Sequence, residues 1–279
     1  MKLFENKRLL IIGALVILLG ISIYEKGINV LLIAAVAVAS SLVVELLAAK
    51  ARKEKYDFTS YFITPLVFSL IITTNVASHV WMVAVGVIFG LFFAKSLFGG
   101  QDKNIFNPEA LGLIFVILSF PAYVLNQGTG NAMGELFVYT TLGLALILML
   151  LKAISPYTLI SYLASLFLMY GLMHLINGSY LSINEMLFNT HIIFVGVFMV
   201  TEKSSGPKHN ISQVIYGFAL GLLVWLINNE SSNAEFASVY AVILGNALAP
   251  LIDSFVETYI LKLNKADEEL KEVTTWKTH

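Results

Sequence analysis

Two polar stretches in an otherwise apolar chain have the residue types and spacing to do chemistry. The first is Phe98-Gly-Gly-Gln-Asp-Lys-Asn-Ile-Phe-Asn-Pro-Glu-Ala-Leu-Gly112. It ends in a helix-start signal: Asn107 is placed as N-cap, Pro108 as first helical residue, and Glu109 falls in the positive first turn. Two readings stand for it. One is a well-capped transmembrane helix and nothing more. The other is a helix N-terminus aimed at an anion or cofactor, because unpaired N–H groups gather there. The second stretch, Met199-Val-Thr-Glu-Lys-Ser-Ser-Gly-Pro207, favours the latter. Backbone N–H groups at Asn107–Ala110 and Ser204–Gly206, with Lys203 or Lys208 near, suit a negatively charged ligand. The basic stretch Thr201–Asn210 reads equally well as an ordinary cytoplasmic loop.

The elements that must position these stretches are membrane helices. Hydrophobic residues make up 58% of the 279 and charged residues 13%, which argues against a soluble globule. Apolar runs of roughly 20 residues predict about ten spans. They fall near 9–23, 28–49, 58–75, 79–98, 108–125, 134–152, 157–176, 185–201, 211–228 and 236–261. With the N-terminus in the cytoplasm, Lys50, Arg52, Lys53, Lys55, Lys95, Lys103, Lys152, Lys203, Lys208 and the C-terminal lysines sort inside. Only Lys26 falls outside, as the positive-inside rule demands. The external loops hold Glu135, Glu185, Glu230 and Glu235. Lys2, Lys7 and Arg8 precede an apolar run, but no small-residue cleavage site follows, so a signal peptide is not expected. The chain has no cysteine, which excludes disulfides and thiolate-bound clusters within it.

Gly86-x-x-x-Gly90 in the fourth predicted span matches Gly217-x-x-x-Gly221 in the ninth, and Gly112 answers Gly245. Thr73–Thr74 and Thr201 mark the entries to the corresponding loops. An odd number of spans separates the equivalents, so two such halves would be inverted, an arrangement common in transport folds. Close helix packing alone is the plainer account of the glycines.

Phe98-Gly-Gly…Asn104-Ile-Phe-Asn-Pro108 with Leu-Ser-Phe-Pro121 resembles the family containing the RnfD component of the Rnf electron-transport complex. The NqrB component of the sodium-pumping NADH:quinone oxidoreductase belongs to the same family. Val197-Phe-Met-Val-Thr-Glu-Lys-Ser-Ser-Gly-Pro207, Tyr216-Gly…Val-Trp225 and Gly245-Asn-Ala-Leu-Ala-Pro-Leu-Ile-Asp253 extend the resemblance over roughly 58–257. It implies an all-α polytopic membrane protein, urea-channel-like, with about ten helices in two inverted repeats of about five. The repeats would cover about 28–125 and 150–263 of a single membrane domain, 1–265, followed by a mobile charged tail, 266–279. The resemblance also implies flavin in the membrane subunit and electron transfer with partner subunits, in some cases coupled to sodium movement.

Two departures matter. The covalent-FMN threonine motif of such relatives lies in a long external loop. Here that loop is short, and Thr129, its only threonine, has flanks that do not fit, so no covalent flavin is expected. The Thr-Asp-Pro of the second repeat reads Thr201-Glu202-Lys203, and the alanine after Asn-Pro is Glu109. An ionisable group near a membrane boundary is a functional candidate, though a favourable dipole contact explains Glu109 equally well.

The expected cofactor is FMN or riboflavin, held non-covalently by Phe106, Asn107, Pro108, Glu109, Thr201, Glu202, Lys203, Ser204, Ser205 and Gly206. Phe92, Phe106 and Phe198 could pack on its ring, although packing among helices is their commoner role. His79, His174 and His191 map near external ends and read as loop or interface residues rather than haem ligands. Glu45, Asp253 and Glu257 read as solvated helix ends. Pro65 and Pro250 mark helix breaks. No Gly-x-x-x-x-Gly-Lys loop, Ser–His–Asp arrangement or zinc spacing occurs, so neither a catalytic residue nor a metal site is expected.

The chain thus reads as a non-autonomous subunit of a membrane oxidoreductase in the cytoplasmic membrane, with both termini cytoplasmic. It would carry electrons across the bilayer to flavinylated partners outside, with lipid around it and no nucleic acid. A channel or permease for flavin or another small solute is the alternative, and a passive platform for redox partners a third.

Overall fold

Hydrocarbon cannot hydrogen-bond to the backbone, so a chain this apolar must close its N–H and C=O groups within helices. The computed structural model describes residues 2–53, 60–72, 79–98, 100, 103–124, 134–177, 191–230 and 236–262, and every regular element among them is helical. Lys55, Thr73, Thr74, Gly99, Gln101, Asp102, Thr129, Glu185, Glu235 and the tail 266–279 lie outside the described residues.

The helices are α1 (Lys2–Lys26), α2 (Asn29–Arg52), α3 (Ser60–Ile71) and α4 (Trp81–Gly90). After them come α5 (Pro108–Ser119), α6 (Pro121–Val124), α7 (Glu135–Leu150) and α8 (Pro156–Asn177). The last are α9 (Ile192–Val195), α10 (Asn210–Glu230) and α11 (Ala237–Phe255). Three helices continue into wider π-helical turns: α4 through Leu91–Lys95, α9 through Gly196–Val200, and α11 through Val256–Leu261.

Among the described residues, six helices are long and apolar enough to cross a membrane, spanning 6–26, 29–52, 81–98, 156–176, 210–229 and 237–260. Within the expected spans at 58–75, 108–125 and 134–152 the described helices are shorter, and 58–59, 73–75 and 125 lie outside the described residues. α3 and α5 have 12 residues each, and α7 has 16. At 1.5 Å per residue a 12-residue helix covers only about 18 Å of a hydrocarbon core of about 30 Å. Hydropathy counts apolar residues whether or not they are helical, so it overestimated α5, which ends at Ser119 before a new short helix starts at Pro121. Leu9, Val16, Ile17, Leu31, Leu47 and Leu150 are exposed on the outside of the bundle, where lipid rather than water is the fitting solvent. Tyr162, Tyr216, Phe68, Phe137, Phe194 and Phe236 fill its centre.

Neither proline breaks its helix. Pro65 lies within α3 and Pro250 within α11, and both helices run through. Pro65 has no N–H for the carbonyl of Tyr61 four residues back. Ser41 of α2 supplies the missing donor, its Oγ bonding to Tyr61 O at 2.8 Å.

Small residues bring α4 against α5. A methyl group at Gly90 would collide with the Pro108 carbonyl oxygen, and one at Gly112 would meet the Gly86 carbonyl. In the second half, Gly245 of α11 packs on Leu220 and Tyr216, whereas Gly217 and Gly221 pack on Thr158 and Tyr162 carbonyls of α8. The matching glycine pairs thus have unlike partners, and close packing accounts for them. Gly90→Ala is expected to cost about 1–3 kcal/mol by forcing α5 away from α4. Gly13→Ala, where nothing lies within 4 Å, should leave the thermal midpoint in detergent where it is.

The basic residues gather at one end of the bundle. Arg52 Nη1 donates to Ser96 O at 3.4 Å, and Lys203 Nζ to Lys152 O at 3.4 Å. Lys7, Arg8 and Lys95 share one cavity with Lys203. At the other end, Glu25 accepts from Phe137 N at 3.3 Å, and Trp81 packs edge-on to Phe120.

Candidate functional site

The start of α5 is built as its sequence predicts. Asn107 is the N-cap, its Oδ1 accepting from Ala110 N at 2.8 Å, and Pro108 is the first helical residue. Asn107 also reaches two distant segments. Its backbone N–H donates to Asn246 Oδ1 on α11 at 2.8 Å, and its Nδ2 donates to Glu202 Oε2 at 2.8 Å.

Glu202 is the hub. The π turn Gly196–Val200 ends at Thr201, whose Oγ1 donates back to Val197 O at 2.6 Å. That turn sets the next carboxylate onto the tip of α5. Glu202 accepts from Asn104 Nδ2 at 3.2 Å, Asn107 Nδ2 at 2.8 Å, Ser205 Oγ at 2.8 Å and Ser204 Oγ. Asn246 closes the ring, its Nδ2 donating to Ser205 O at 3.3 Å and to Tyr216 OH at 2.9 Å. Segments about a hundred residues apart in sequence are thereby locked together by charge-assisted and neutral hydrogen bonds.

Beside this network lies a cavity of about 140 Å³. Its inner wall is buried and includes Thr64, Lys95, Asn104, Glu109 and Thr201, each no more than 6% exposed. Ile63, Ile154, Val197 and Phe198 add apolar surface. Lys7 and Arg8 are half-buried and Lys203 is exposed, so the more open side is cationic. Desolvation, and after it the charge of Lys7, lowers the Lys203 ammonium below its ordinary range.

Glu109 is 4% exposed, and its Oε2 has no hydrogen-bond partner among the described residues. The Thr64 side chain bonds the same carboxyl group, and Glu202 and Lys95 are close enough to act on it electrostatically. A buried oxygen without a donor is costly, which marks this atom as a place where a ligand group or water is wanted. Behind it, Lys95 is paired with Glu45, side chains 6% and 9% exposed. Glu45 is therefore not the solvated helix end expected of it: the π turn Leu91–Lys95 carries Lys95 onto α2, and the pair is buried.

Of the predicted site residues, Pro108, Glu109, Thr201, Glu202, Lys203 and Ser204 line the cavity. Asn107, Ser205 and Gly206 belong to the framework behind it: Asn107 and Ser205 hold Glu202, and Gly206 closes against the Glu202 carbonyl. Phe106 is half-buried and is not among the lining residues. The backbone N–H groups of Asn107 and Ala110 are occupied by the amide oxygens of Asn246 and Asn107, and Glu202 meets the start of α5 through the Asn107 side chain. Phe198 is in the wall, whereas Phe92 is 45% exposed and packs edge-on to Phe93. Lys208 lies apart, its N–H donating to Asp253 Oδ2 at 2.9 Å. Glu257 is exposed and bonded to His209 at 2.7 Å. His191, the N-cap of α9, is 1% exposed and stacks on Phe236, so this loop histidine is buried.

Sequence reasoning missed Lys7, Arg8, Thr64, Lys95 and Asn246. Asn246 could have been found, as an amide in the middle of an apolar helix needs a partner. Lys7 and Arg8 carried no signal beyond their sorting to one side.

A family model described as the NQR2, RnfD, RnfE family matches residues 3–129 and 124–262. The B component of the Na(+)-translocating NADH-quinone reductase of Azotobacter vinelandii is 25% identical over 256 residues, covering 76% of this chain and 63% of that protein. That of Ectopseudomonas mendocina is 27% identical over 258 residues, with the same coverage. That of Pseudoalteromonas atlantica is 24% identical over 265 residues, covering 80% of this chain and 65% of the relative. The alignments thus span a little under two thirds of those proteins.

Proposed function

Since the chain belongs to the NQR2, RnfD, RnfE family, we propose that it is the membrane subunit of a flavin-dependent redox assembly. It would carry electrons across the cytoplasmic membrane through flavin held without a covalent bond. The acceptors would be separate, flavinylated subunits on the far side, and the two halves of the chain would be inverted repeats. The lysine-rich end would face the cytoplasm with both termini. The relatives are components of an NADH-quinone reductase, which makes redox partners the natural company for this chain.

The observation that carries the reading is the cavity lined from both motif stretches, by Asn104, Pro108 and Glu109 of one and Thr201–Ser204 of the other. Its residues offer the kinds of surface a flavin ring takes, and seating one requires the cavity of about 140 Å³ to widen toward the roughly 300 Å³ of the smallest ligand pockets. Phe198, Ile63, Ile154 and Val197 offer apolar surface to a flat ring system, and Glu109 Oε2 offers a buried acceptor to a ring N–H. Bound there, flavin would supply both one- and two-electron transfer. The protein's part is to bind and orient, to keep water from the ring, and to set the charge around it. Glu202, fixed by four donors, holds the wall in place.

Asn107→Ala is expected to reduce flavin retained through purification by about tenfold, because it frees Glu202 and uncaps α5 together. Flavin released by acid and quantified against protein checks this, and unchanged content would refute the site. A colourless protein that moves riboflavin in proteoliposomes would instead indicate the permease.

A further inference from the structure

Two carboxyl groups meet at the cavity, and their surroundings are unequal. Glu202 has donors on both oxygens: Asn104 and Ser204 bond Oε1, and Asn107 and Ser205 bond Oε2. Amide N–H groups must meet an acceptor, so Glu202 is held as a carboxylate. Glu109 is 4% exposed and has far less. Thr64 and its own backbone N–H bond the carboxyl group, while Oε2 has no partner among the described residues. The charged groups acting on it are Glu202 and, less strongly, Lys95. Lys95 comes from the π turn after α4 and is paired with Glu45 of α2. Lys7 and Arg8 of α1 line the cavity nearer its open side and have interactions of their own, as does Lys203, whose Nζ donates to Lys152 O at 3.4 Å. α3 and α11 bring Thr64 and Asn246 to this end of α5, and neither ionises. A second negative charge on Glu109 would sit close to the first, out of water and with one oxygen bare. That is costlier than a neutral carboxyl in the same place.

We propose that Glu109 is a proton-exchange site: its carboxyl group carries a proton in the resting protein and trades it with the lysine-rich end of the bundle through water in the cavity. The size of the space suits this. About 10–15 Å³ of cavity suffices for one water, so about 140 Å³ has room for several. Each water also needs about two to four polar partners, which Asn104, Thr64, Thr201 and Glu109 Oε2 offer along the wall. The step is a proton transfer alone. The O–H bond of Glu109 breaks, a cavity water passes the proton to bulk, and the carboxylate left behind is under the influence of Lys95. An ionisable group in an apolar bundle is a functional candidate, and this one stands where the family pattern has alanine. The inference does not depend on flavin, since a protonated carboxyl keeps a carbonyl oxygen that can accept a ring N–H.

Infrared spectra of the purified full chain in detergent test this, because the C=O stretch of a protonated carboxyl is resolved from the stretches of a carboxylate. A carboxylic band is expected at neutral pH. It should be lost in Glu109→Gln and in Glu109→Ala, and kept in Glu257→Gln, where the carboxylate is exposed. Glu109→Gln exchanges one neutral group for another of the same shape, so its thermal midpoint should stay at that of the parent or above. In D2O the band should move to lower wavenumber as soon as the buffer is exchanged, as a group in contact with mobile water must. Absence of the band at neutral pH, or a band that neither Glu109 variant removes, would overturn the proposal. A band that D2O leaves in place would mean a sealed carboxyl and overturn it too. Replacing potassium by sodium in the buffer should change nothing; loss of the band in sodium would assign the group to a metal cation, against a proton.

Discussion

Glu45→Ala is expected to be among the most damaging single substitutions in the chain, lowering stability by about 3–5 kcal/mol. The Lys95 ammonium and the Glu45 carboxylate face each other with side chains 6% and 9% exposed. Removing the carboxylate leaves a largely buried cation without its ion-pair partner, and the penalty is the desolvation of that cation rather than the lost attraction. The loss should lie toward the lower end of the range, because Glu109 also acts on Lys95. Thermal unfolding in detergent reads the effect. The double variant Glu45→Leu, Lys95→Met removes both charges and should recover most of the loss, since an apolar pair of similar size can replace a buried ion pair. If Glu45→Ala unfolds like the parent protein, the pair is not buried as described.

Glu202→Ala is the second. It strips the acceptor from Asn104, Asn107, Ser204 and Ser205 at once. Hydrogen bonds to a charged group contribute about 1.5–3 kcal/mol each, but donors near the open side regain water. A net loss of about 3 kcal/mol is therefore expected, with loss of flavin retention. Glu202→Gln keeps the shape but replaces an acceptor-only group by one that also donates, so one amide must face another donor. It should fall between parent and alanine variant. Thermal midpoint and retained flavin should fall in the same order across the three proteins. A variant that loses stability but keeps its flavin would separate Glu202 from the cavity.

What was legible in advance was local. The cap of α5 could be read because Asn-Pro-Glu fixes a helix start within four residues, whatever surrounds it. The gathering of basic residues at one end follows from charge sorting. What escaped depended on partners far along the chain. The continuity of α3 through Pro65 rests on Ser41, and the burial of Glu45 rests on Lys95, 50 residues away. The π turns that place Lys95 and Glu202 have the same hydropathy as α-helix, so no periodicity announced them. The two motif stretches were paired correctly: Asn107 and Glu202 are in direct contact. The contact is made by side chains: Asn107 Nδ2 donates to Glu202, while the Asn107 and Ala110 backbone N–H groups go to amide oxygens of Asn246 and Asn107.

The most direct measurement is the amount of flavin released by acid from the unaltered, purified chain, with a spectrum before and after reduction. The account predicts about one flavin per cavity, released without proteolysis and bleached by a reductant. A chain that purifies colourless, takes up no flavin when it is added back, and remains folded would contradict it.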